Sequence, residues 1–429
     1  MGMKSTAKQI RSSLRLDSHH AIERFGVLFG ALSVACVLLF AGATTSSIAN
    51  QAKELDAQAI YTASFSTSKT QLPGSVTGVY VSPDRTRAML LMRFESASSM
   101  SANAENYQSF LTGSTMQLDG EPLKTNIEGQ LVTFGSTGYL AVVLDSDEPF
   151  RQQILNLTMR SNSELIYKPT ETRTVRADLA SDQSFAEFDQ WRLYFNPGAS
   201  EATVLEALDA DSFDAGAIYN EVVIEAEEAT LRAEMDKQLE QMRADLARID
   251  ERVAEASRTS VDGALLQLPE MPVQIAGDRV VGEPGIDGEP STLRLETEWV
   301  SPRGYDFDWR SGSVEEGYLD DLVPSGESYV LWLADKAAAP SEGNDLGTSS
   351  TDWALSNGRL LSDFTSDDTS MQPLFEIRND LVQAYRDYFT HKLEYQTTSY
   401  SKLVDLEVRL RTVRAGAASN TSDEALFTY

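Results

Sequence analysis

The spacing of apolar and polar residues changes several times along this chain, and each change marks a predicted element. Residues 25–45 form one uncharged, largely apolar run, and a helix needs about 20 such residues to cross the hydrocarbon core of a membrane. The run therefore predicts a single transmembrane helix, with a juxtamembrane helix or linker over residues 46–71. A cleaved signal peptide ending at Ala43 is the alternative, because Ala41-Gly42-Ala43 fits a small-residue cleavage site.

Short apolar runs separated by turn residues predict β-strands between residues 72 and 200. The clearest pair lies on either side of Ser82-Pro83-Asp84-Arg85, which predicts a hairpin of residues 76–81 with 88–94. Further runs of this kind lie at residues 130–134, 139–144, 154–159 and 191–195. Strands at such intervals are typical of a β-sandwich, so we predict a β-sandwich-like domain over residues 72–200.

A long helix is predicted over residues 201–260, because its apolar residues recur at alternating spacings of four and three. Charged residues of both signs lie between them, which is the pattern of a coiled-coil seam. The seam consists of Met235, Leu239, Met242, Leu246, Ile249 and Val253.

A second long amphipathic helix is predicted over residues 369–415. Its apolar stripe needs a partner, so we expect the two helices to pack antiparallel as a coiled coil; a parallel dimer through the first seam is the alternative. Residues 261–368 predict a small β-rich, Trp-rich segment with loops, and residues 416–429 predict a disordered tail. The predicted fold class is therefore α+β, with strands in the Trp-rich segment at residues 292–299, 305–309 and 329–333.

The charge distribution predicts a topology. The chain has 65 acidic and 36 basic residues and a net charge of −29, whereas residues 1–24 are basic. By the positive-inside rule these first residues are cytoplasmic and residues 46–429 lie outside. The prediction is thus a signal-anchored, single-pass protein of the cell membrane. The acidic excess also argues against nucleic acid as a partner.

The content of cysteine and histidine limits the chemistry. The one cysteine, Cys36, lies in the predicted span, and His391 is the one histidine beyond it. Disulfides, thiol catalysis and Cys- or His-ligated zinc are therefore excluded after the span. We predict no enzyme activity, no cofactor and no metal. An exported hydrolase that uses a pair of carboxylates is the weaker alternative.

Two groups of residues are candidates for contact with partners. Tyr305, Phe307 and Trp309 alternate with aspartates, so a strand would present the three rings on one face, and with Trp332 they form a candidate ligand or partner surface. The alternative is that these rings belong to the core. Gly26 and Gly30 form a GxxxG, a candidate dimer contact of the membrane helix, although glycine is common in such spans.

These features predict a membrane-anchored, non-enzymatic, extracytoplasmic structural or interaction protein of a bacterial envelope assembly, such as a secretion or conjugation apparatus. Its expected partners are the lipid bilayer through one span, other envelope or membrane proteins, and a second copy of the chain. The alternative is a surface-displayed module that binds glycan or protein through the Trp-rich region.

Overall fold

The computed structural model describes residues 55–97, 100–115, 119–162, 188–209, 213–285, 290–340, 346, 352–364, 369–416, 421–422 and 426–428. The chain is α+β and divides into two compact units. The first unit comprises Met1–Asp211 with Thr421–Tyr429, and the second comprises Ser212–Asn420.

The strands of the described residues are, in chain order, β1 (Ser64–Ser66), β2 (Pro73–Val81), β3 (Arg87–Phe94), β4 (Tyr107–Ser114), β5 (Asp119–Glu121), β6 (Ile127–Thr133), β7 (Tyr139–Ser146), β8 (Ile154–Asn162), β9 (Phe188–Phe195), β10 (Thr203–Val204), β11 (Ser260–Val261), β12 (Ala264–Gln267), β13 (Arg279–Val281), β14 (Arg294–Glu296), β15 (Ala354–Leu355), β16 (Thr421–Ser422) and β17 (Leu426–Thr428). The α-helices are α1 (Ala215–Tyr219), α2 (Glu225–Ala256), α3 (Leu319–Leu322), α4 (Tyr329–Ala338), α5 (Gln372–Leu393) and α6 (Tyr400–Gly416). A π-helical turn, Asn220–Ile224, joins α1 to α2, and a second one, Glu394–Ser399, joins α5 to α6.

The first unit contains two sheets that share one apolar core. One sheet has the order β1-β2-β3-β7-β6-β16, with β10 beside β2, and the other has the order β17-β4-β8-β9, with β5 beside β4. Leu90 and Val142 of the first sheet and Leu157 and Trp191 of the second are buried in this core. The ring of Phe94 meets Trp191 edge to face at 5.3 Å. The two sheets are therefore held together mainly by burial of apolar side chains.

The predicted hairpin at the start of this unit is confirmed. Strands β2 and β3 pair antiparallel, with Tyr80 opposite Met89. Asp84 closes the turn, because its carboxylate accepts hydrogen bonds from the Ser82 hydroxyl at 2.5 Å and from the Thr86 amide at 3.1 Å. This is the turn chemistry that makes aspartate frequent between strands.

The end of the chain differs from the predicted disordered tail. Strand β16 pairs with β6, and β17 pairs in parallel with β4. The Phe427 ring stacks on Phe110 at 5.3 Å. The sequence gives little sign of this, because strands of two and three residues are too short to show a period. Their pairing depends on sheet edges formed by residues far away in sequence.

The second unit is built on two long helical stretches, α1–α2 and α5–α6. Residues that form ion pairs across them come in opposite order along the chain, so the stretches run antiparallel. These pairs are Glu227 with Arg409, Glu234 with Lys402, Asp245 with His391, and Arg252 with Asp380.

The predicted coiled coil is wrong. Met235, Leu239, Met242 and Ile249 of the seam are buried, but Leu246 and Val253 are only half-buried, and Asp245 is buried beside them. A coiled coil requires both helices to keep an unbroken heptad register, whereas the π-helical turn Glu394–Ser399 inserts an extra residue into the second stretch and rotates α6 relative to α5. The helices also bury side chains against the segment between them, so their apolar faces are wider than a seam.

The prediction of a β-rich segment over residues 261–368 is also wrong. The described part has only short strands, β11 to β15, and the predicted strand at residues 329–333 lies in helix α4. The aromatic and β-branched residues there suggest a strand, but the following Ala334, Lys336 and Ala337 are strong helix formers. Residues 305–309 form no strand, because the Tyr305 amide donates instead to the carbonyl of Gln396 at 3.0 Å.

The membrane predictions require correction as well. In the part of the chain that the structure describes, no helix is long and apolar enough to span a bilayer. This finding contradicts the transmembrane, single-pass and signal-anchor predictions and the predicted location in the cell membrane. The predicted span itself, residues 25–45, lies outside the described residues, as do Gly26 and Gly30.

Candidate functional site

The aromatic residues proposed as a binding surface lie among other rings of the second unit. Tyr305 and Trp309 are buried, with Trp309 only 3% exposed, and Phe307 and Trp332 are half-buried. The Trp309 indole donates a hydrogen bond to the Tyr395 hydroxyl at 2.9 Å. A stacking platform needs ring faces open to solvent. The arrangement instead uses Trp309 to fasten residues 305–309 to the π-helical turn Glu394–Ser399.

Two buried carboxylates of the long helices hold the loop that follows Trp309. Glu407 of α6 accepts hydrogen bonds from the amides of Tyr318 at 2.7 Å and Leu319 at 3.0 Å. Glu228 of α2 accepts from the amide of Val314 at 3.2 Å. Each glutamate also pairs with an arginine four residues further along its helix, Arg232 at 2.6 Å and Arg411 at 2.7 Å. These carboxylates are fully engaged in fixing the loop.

A third polar cluster surrounds Lys392 of α5, whose side chain is fully buried. Its ammonium group donates to Asp278 at 2.7 Å, to Thr297 at 2.7 Å and to the carbonyl of Gln274 at 2.6 Å. Tyr388 donates to the same Asp278 oxygen at 2.7 Å. Burial lowers the pKa of Lys392, against the raising effect of Asp278. Sequence inspection missed this cluster, because Lys392 alone gives no sign of burial.

The neighbouring His391 pairs with the buried Asp245, whose carboxylate lies 2.6 Å from its Nδ1 atom. Arg248 donates to the other oxygen of Asp245 at 2.7 Å. The Asp245 carboxylate thus links His391 of α5 to Arg248 of α2. Within the described residues, no group of three or more histidine, cysteine, aspartate or glutamate residues is arranged to hold a metal ion.

An open groove lies between α2 and α6 on the surface of the second unit. Its volume is about 700 Å³. Leu231 of α2 and Leu406 of α6 are buried and form its apolar floor. Ala226 is exposed and lines the groove on α2. The remaining lining residues are Glu227, Thr230, Glu234, Lys402, Asp405 and Arg409.

The charged residues of the groove are unequally paired. Arg409 forms an ion pair with Glu227 at one end, and Lys402 lies 3.8 Å from Glu234 at the other. Asp405 lies between these two ion pairs. None of the described residues donates a hydrogen bond to its carboxylate or forms a close ion pair with it. Partial exclusion of water raises the pKa of Asp405, although Arg409 acts in the opposite direction. The groove therefore presents one exposed carboxylate that has no close ion pair beside its apolar floor.

The two π-helical turns lie at opposite ends of this groove. The turn Asn220–Ile224 immediately precedes the groove residues of α2, and Glu394–Ser399 precedes those of α6. Because the stretches are antiparallel, these turns fall at different ends. At the end beside Glu394–Ser399, the Ser399 hydroxyl donates to the side-chain oxygen of Gln238 at 2.7 Å and so joins this turn to α2. Such turns occur often at functional sites, and here they set which side chains face the groove.

Comparison with known proteins gives no match: no protein-family model, no curated protein and no solved structure is significantly similar to this chain. An α+β fold with a helix-walled, partly apolar groove is suited to holding another protein segment.

Proposed function

We propose that this chain is a non-enzymatic interaction protein, a component of a larger protein assembly, and that the α2–α6 groove binds a helical segment of a partner. The observation that carries the proposal is the groove itself, with Leu231 and Leu406 on its floor and an ion pair at each end. A helix bound in such a groove buries one apolar stripe and leaves its polar face in water.

The rigidity of the groove walls supports this proposal. Glu228 and Glu407, next to groove residues on the two helices, bind backbone amides of the loop from Val314 to Leu319. Helix walls fixed in this way lose little conformational entropy when a ligand binds. These hydrogen bonds also argue against the hydrolase alternative at Glu228 and Glu407, because the oxygens of both carboxylates already accept hydrogen bonds from the loop.

The other sequence-based functions receive less support. The envelope setting depended on a membrane span, so it is not part of this proposal. The glycan- or protein-binding alternative used the Trp-rich region, but Tyr305 and Trp309 are buried. Their rings could reach a ligand only after local unfolding, which makes the groove the better candidate.

Site-specific crosslinking in living cells tests the proposal. A photo-crosslinking amino acid in place of Thr230, which is exposed in the groove, should capture a defined partner protein. The same amino acid in place of Asp250, exposed on α2 outside the groove, is the matched control. The Thr230 adduct should disappear when Ala226→Trp fills the groove. Adducts of the same proteins at both positions, unaffected by Ala226→Trp, would contradict a binding groove.

A further inference from the structure

We propose that the occupant of the α2–α6 groove is a basic amphipathic helix, which places a lysine or arginine beside Asp405 and apolar side chains on Leu231 and Leu406. This inference rests on the proposed function and adds the chemistry of the partner. It commits to a segment of another protein rather than to a second copy of this chain.

The carboxylate of Asp405 is the first argument. Glu227 and Glu234, the other acids of the groove, each face a cation across it, namely Arg409 and Lys402. Asp405 lies between these pairs and receives no such partner from the described residues. Asp405 is exposed, so a cation that arrives with a ligand can reach it, and the bound ligand then removes water from around the new pair.

The spacing of the groove residues is the second argument. On α2 the lining runs from Ala226 to Glu234, which is about 12 Å at a rise of 1.5 Å per residue. That length holds two turns of a bound helix. Residues three and four apart on such a helix share one face. One apolar residue can thus rest on the leucines while a basic residue one turn away reaches Asp405.

The charge of the whole chain is the third argument. With 65 acidic and 36 basic residues and a net charge of −29, the protein attracts basic partners and repels a second copy of itself and nucleic acid alike. Long-range attraction of this kind raises association rates without fixing the site of binding. Specificity for a partner must therefore come from the groove. General attraction by the net charge and binding in the groove are two effects with separate tests.

The test uses the full chain and two synthetic probes. One probe is a fluorescent amphipathic helical peptide of leucine and lysine, and the other is its leucine and glutamate counterpart. Binding is measured by fluorescence anisotropy at physiological salt, where distant charges are screened. We expect the leucine–lysine peptide to bind and the leucine–glutamate peptide to bind at least tenfold more weakly.

Matched substitutions locate the binding. Asp405→Asn should weaken binding of the leucine–lysine peptide by about twofold to fivefold, the size of one exposed ion pair. Asp250→Asn, which removes an exposed charge from α2 outside the groove, should leave affinity unchanged. Ala226→Trp should abolish binding, and Ala247→Trp, on the exposed side of α2, should not.

The outcomes separate this inference from the proposed function. Equal losses for Asp405→Asn and Asp250→Asn would reduce the binding to general attraction and overturn the assignment of a basic helix to Asp405. Binding of the leucine–glutamate peptide that Ala226→Trp abolishes would keep the groove as a docking site but overturn the basic partner. Insensitivity of both peptides to Ala226→Trp would count against the groove and so against the proposed function. A concentration-dependent dimer, seen by light scattering and lost in Ala226→Trp, would replace the partner helix by a second copy.

Discussion

Lys392 shows how a single charged residue can organise part of the second unit. Its side chain is fully buried, and Asp278, which it contacts, is 1% exposed. A buried ion pair costs free energy for desolvation and is stable only when its remaining polar atoms are satisfied. Here Thr297 and the carbonyl of Gln274 accept from Lys392, and Tyr388 donates to the Asp278 oxygen that Lys392 also contacts. The other oxygen of Asp278 is buried without a hydrogen bond from the described residues. The pair therefore ties the loop before β13 and the residues after β14 to helix α5.

Lys392→Met should accordingly destabilise the second unit strongly. The change leaves Asp278 charged, buried and without its cation, so we expect the free energy of unfolding to fall by about 3–5 kcal/mol. Urea unfolding followed by tryptophan fluorescence measures it, because Trp299, Trp309, Trp332 and Trp353 belong to this unit. Lys402→Met, which removes an exposed lysine 3.8 Å from Glu234, is the control and should change stability by less than about 1 kcal/mol. Equal effects of both changes would show that the buried pair has no special role.

The Asp405 carboxylate should lower the free energy of unfolding, while it supplies the negative charge that a basic partner would bind. Its pKa is higher in the folded chain than in the unfolded chain, because desolvation outweighs Arg409. The ionised form is therefore disfavoured by folding, and this cost is complete above the folded-state pKa and vanishes below the usual value of 3.8. The charged groups that line the groove around it are Glu227, Glu234, Lys402 and Arg409.

Asp405→Asn should thus raise the melting temperature at pH 7 by about 1–2 °C, the size of a modest surface-charge improvement. The difference from the unsubstituted protein should shrink as the pH falls through the folded-state pKa. Thermal melts of both proteins between pH 7 and pH 4 check this. Asp250→Asn is the control and should change neither the melting temperature nor its dependence on pH. A melting temperature lowered at neutral pH would mean that Asp405 is stabilised by contacts in the fold.

At the scale of elements, the π-helical turns decide which faces of the long helices are buried. After the turn Glu394–Ser399, Leu403, Leu406 and Leu410 of α6 are buried. An α-helix advances about 100° per residue, so the extra residue of a π turn rotates everything that follows by a similar angle. The Gln396 carbonyl in this turn accepts the amide of Tyr305 at 3.0 Å. The turn therefore sets the register of α6 and anchors the aromatic segment.

Deleting Thr398, which is exposed in this turn, should rotate α6 and remove its leucines from the core. We expect loss of cooperative unfolding of the second unit, or a fall in stability of more than about 3 kcal/mol, together with loss of the near-ultraviolet circular dichroism of its buried rings. Thr398→Ala keeps the residue count and should be close to neutral. A deletion variant as stable as Thr398→Ala would show that the turn does not fix the register.

At the scale of the whole molecule, the two units have separate cores. The first is built on β-sheets with Trp191 and Leu157 in their shared core, and the second on the paired helical stretches. Separate cores of this size are expected to unfold as separate cooperative units.

Leu157→Ala, which opens a cavity at a fully buried position of the first unit, should destabilise that unit by about 2–5 kcal/mol. Hydrogen exchange followed by mass spectrometry should show faster exchange in the strands of both sheets of the first unit and unchanged exchange in α2, α5 and α6. Lys392→Met is the reciprocal comparison and should accelerate exchange in α2, α5 and α6 of the second unit alone. Loss of protection in both units with either change would indicate one cooperative fold.

The sequence by itself determined the local features of this protein. The turn Ser82-Pro83-Asp84-Arg85 between two apolar runs was sufficient to place the β2–β3 hairpin, because hairpins depend on neighbouring residues and on turn chemistry. The apolar stripe after residue 371 predicts a long amphipathic helix, and α5 and α6 lie there. The helical spacing of the stripe is kept within α5 and within α6, although the π-helical turn inserts one residue between them.

Only the tertiary structure decided the rest. The sequence contains no sign that Asp245, Glu407 and Lys392 are buried, since their burial depends on partners from about 90 to 150 residues away. The alternation at residues 305–309 suggests a strand, but the rings pack on a π-helical turn that no local pattern announces. The groove likewise arises where α2 and α6 meet, and neither helix contains it alone. Local spacing specifies an element, whereas burial, helix register and grooves result from the free energy of packing distant elements together.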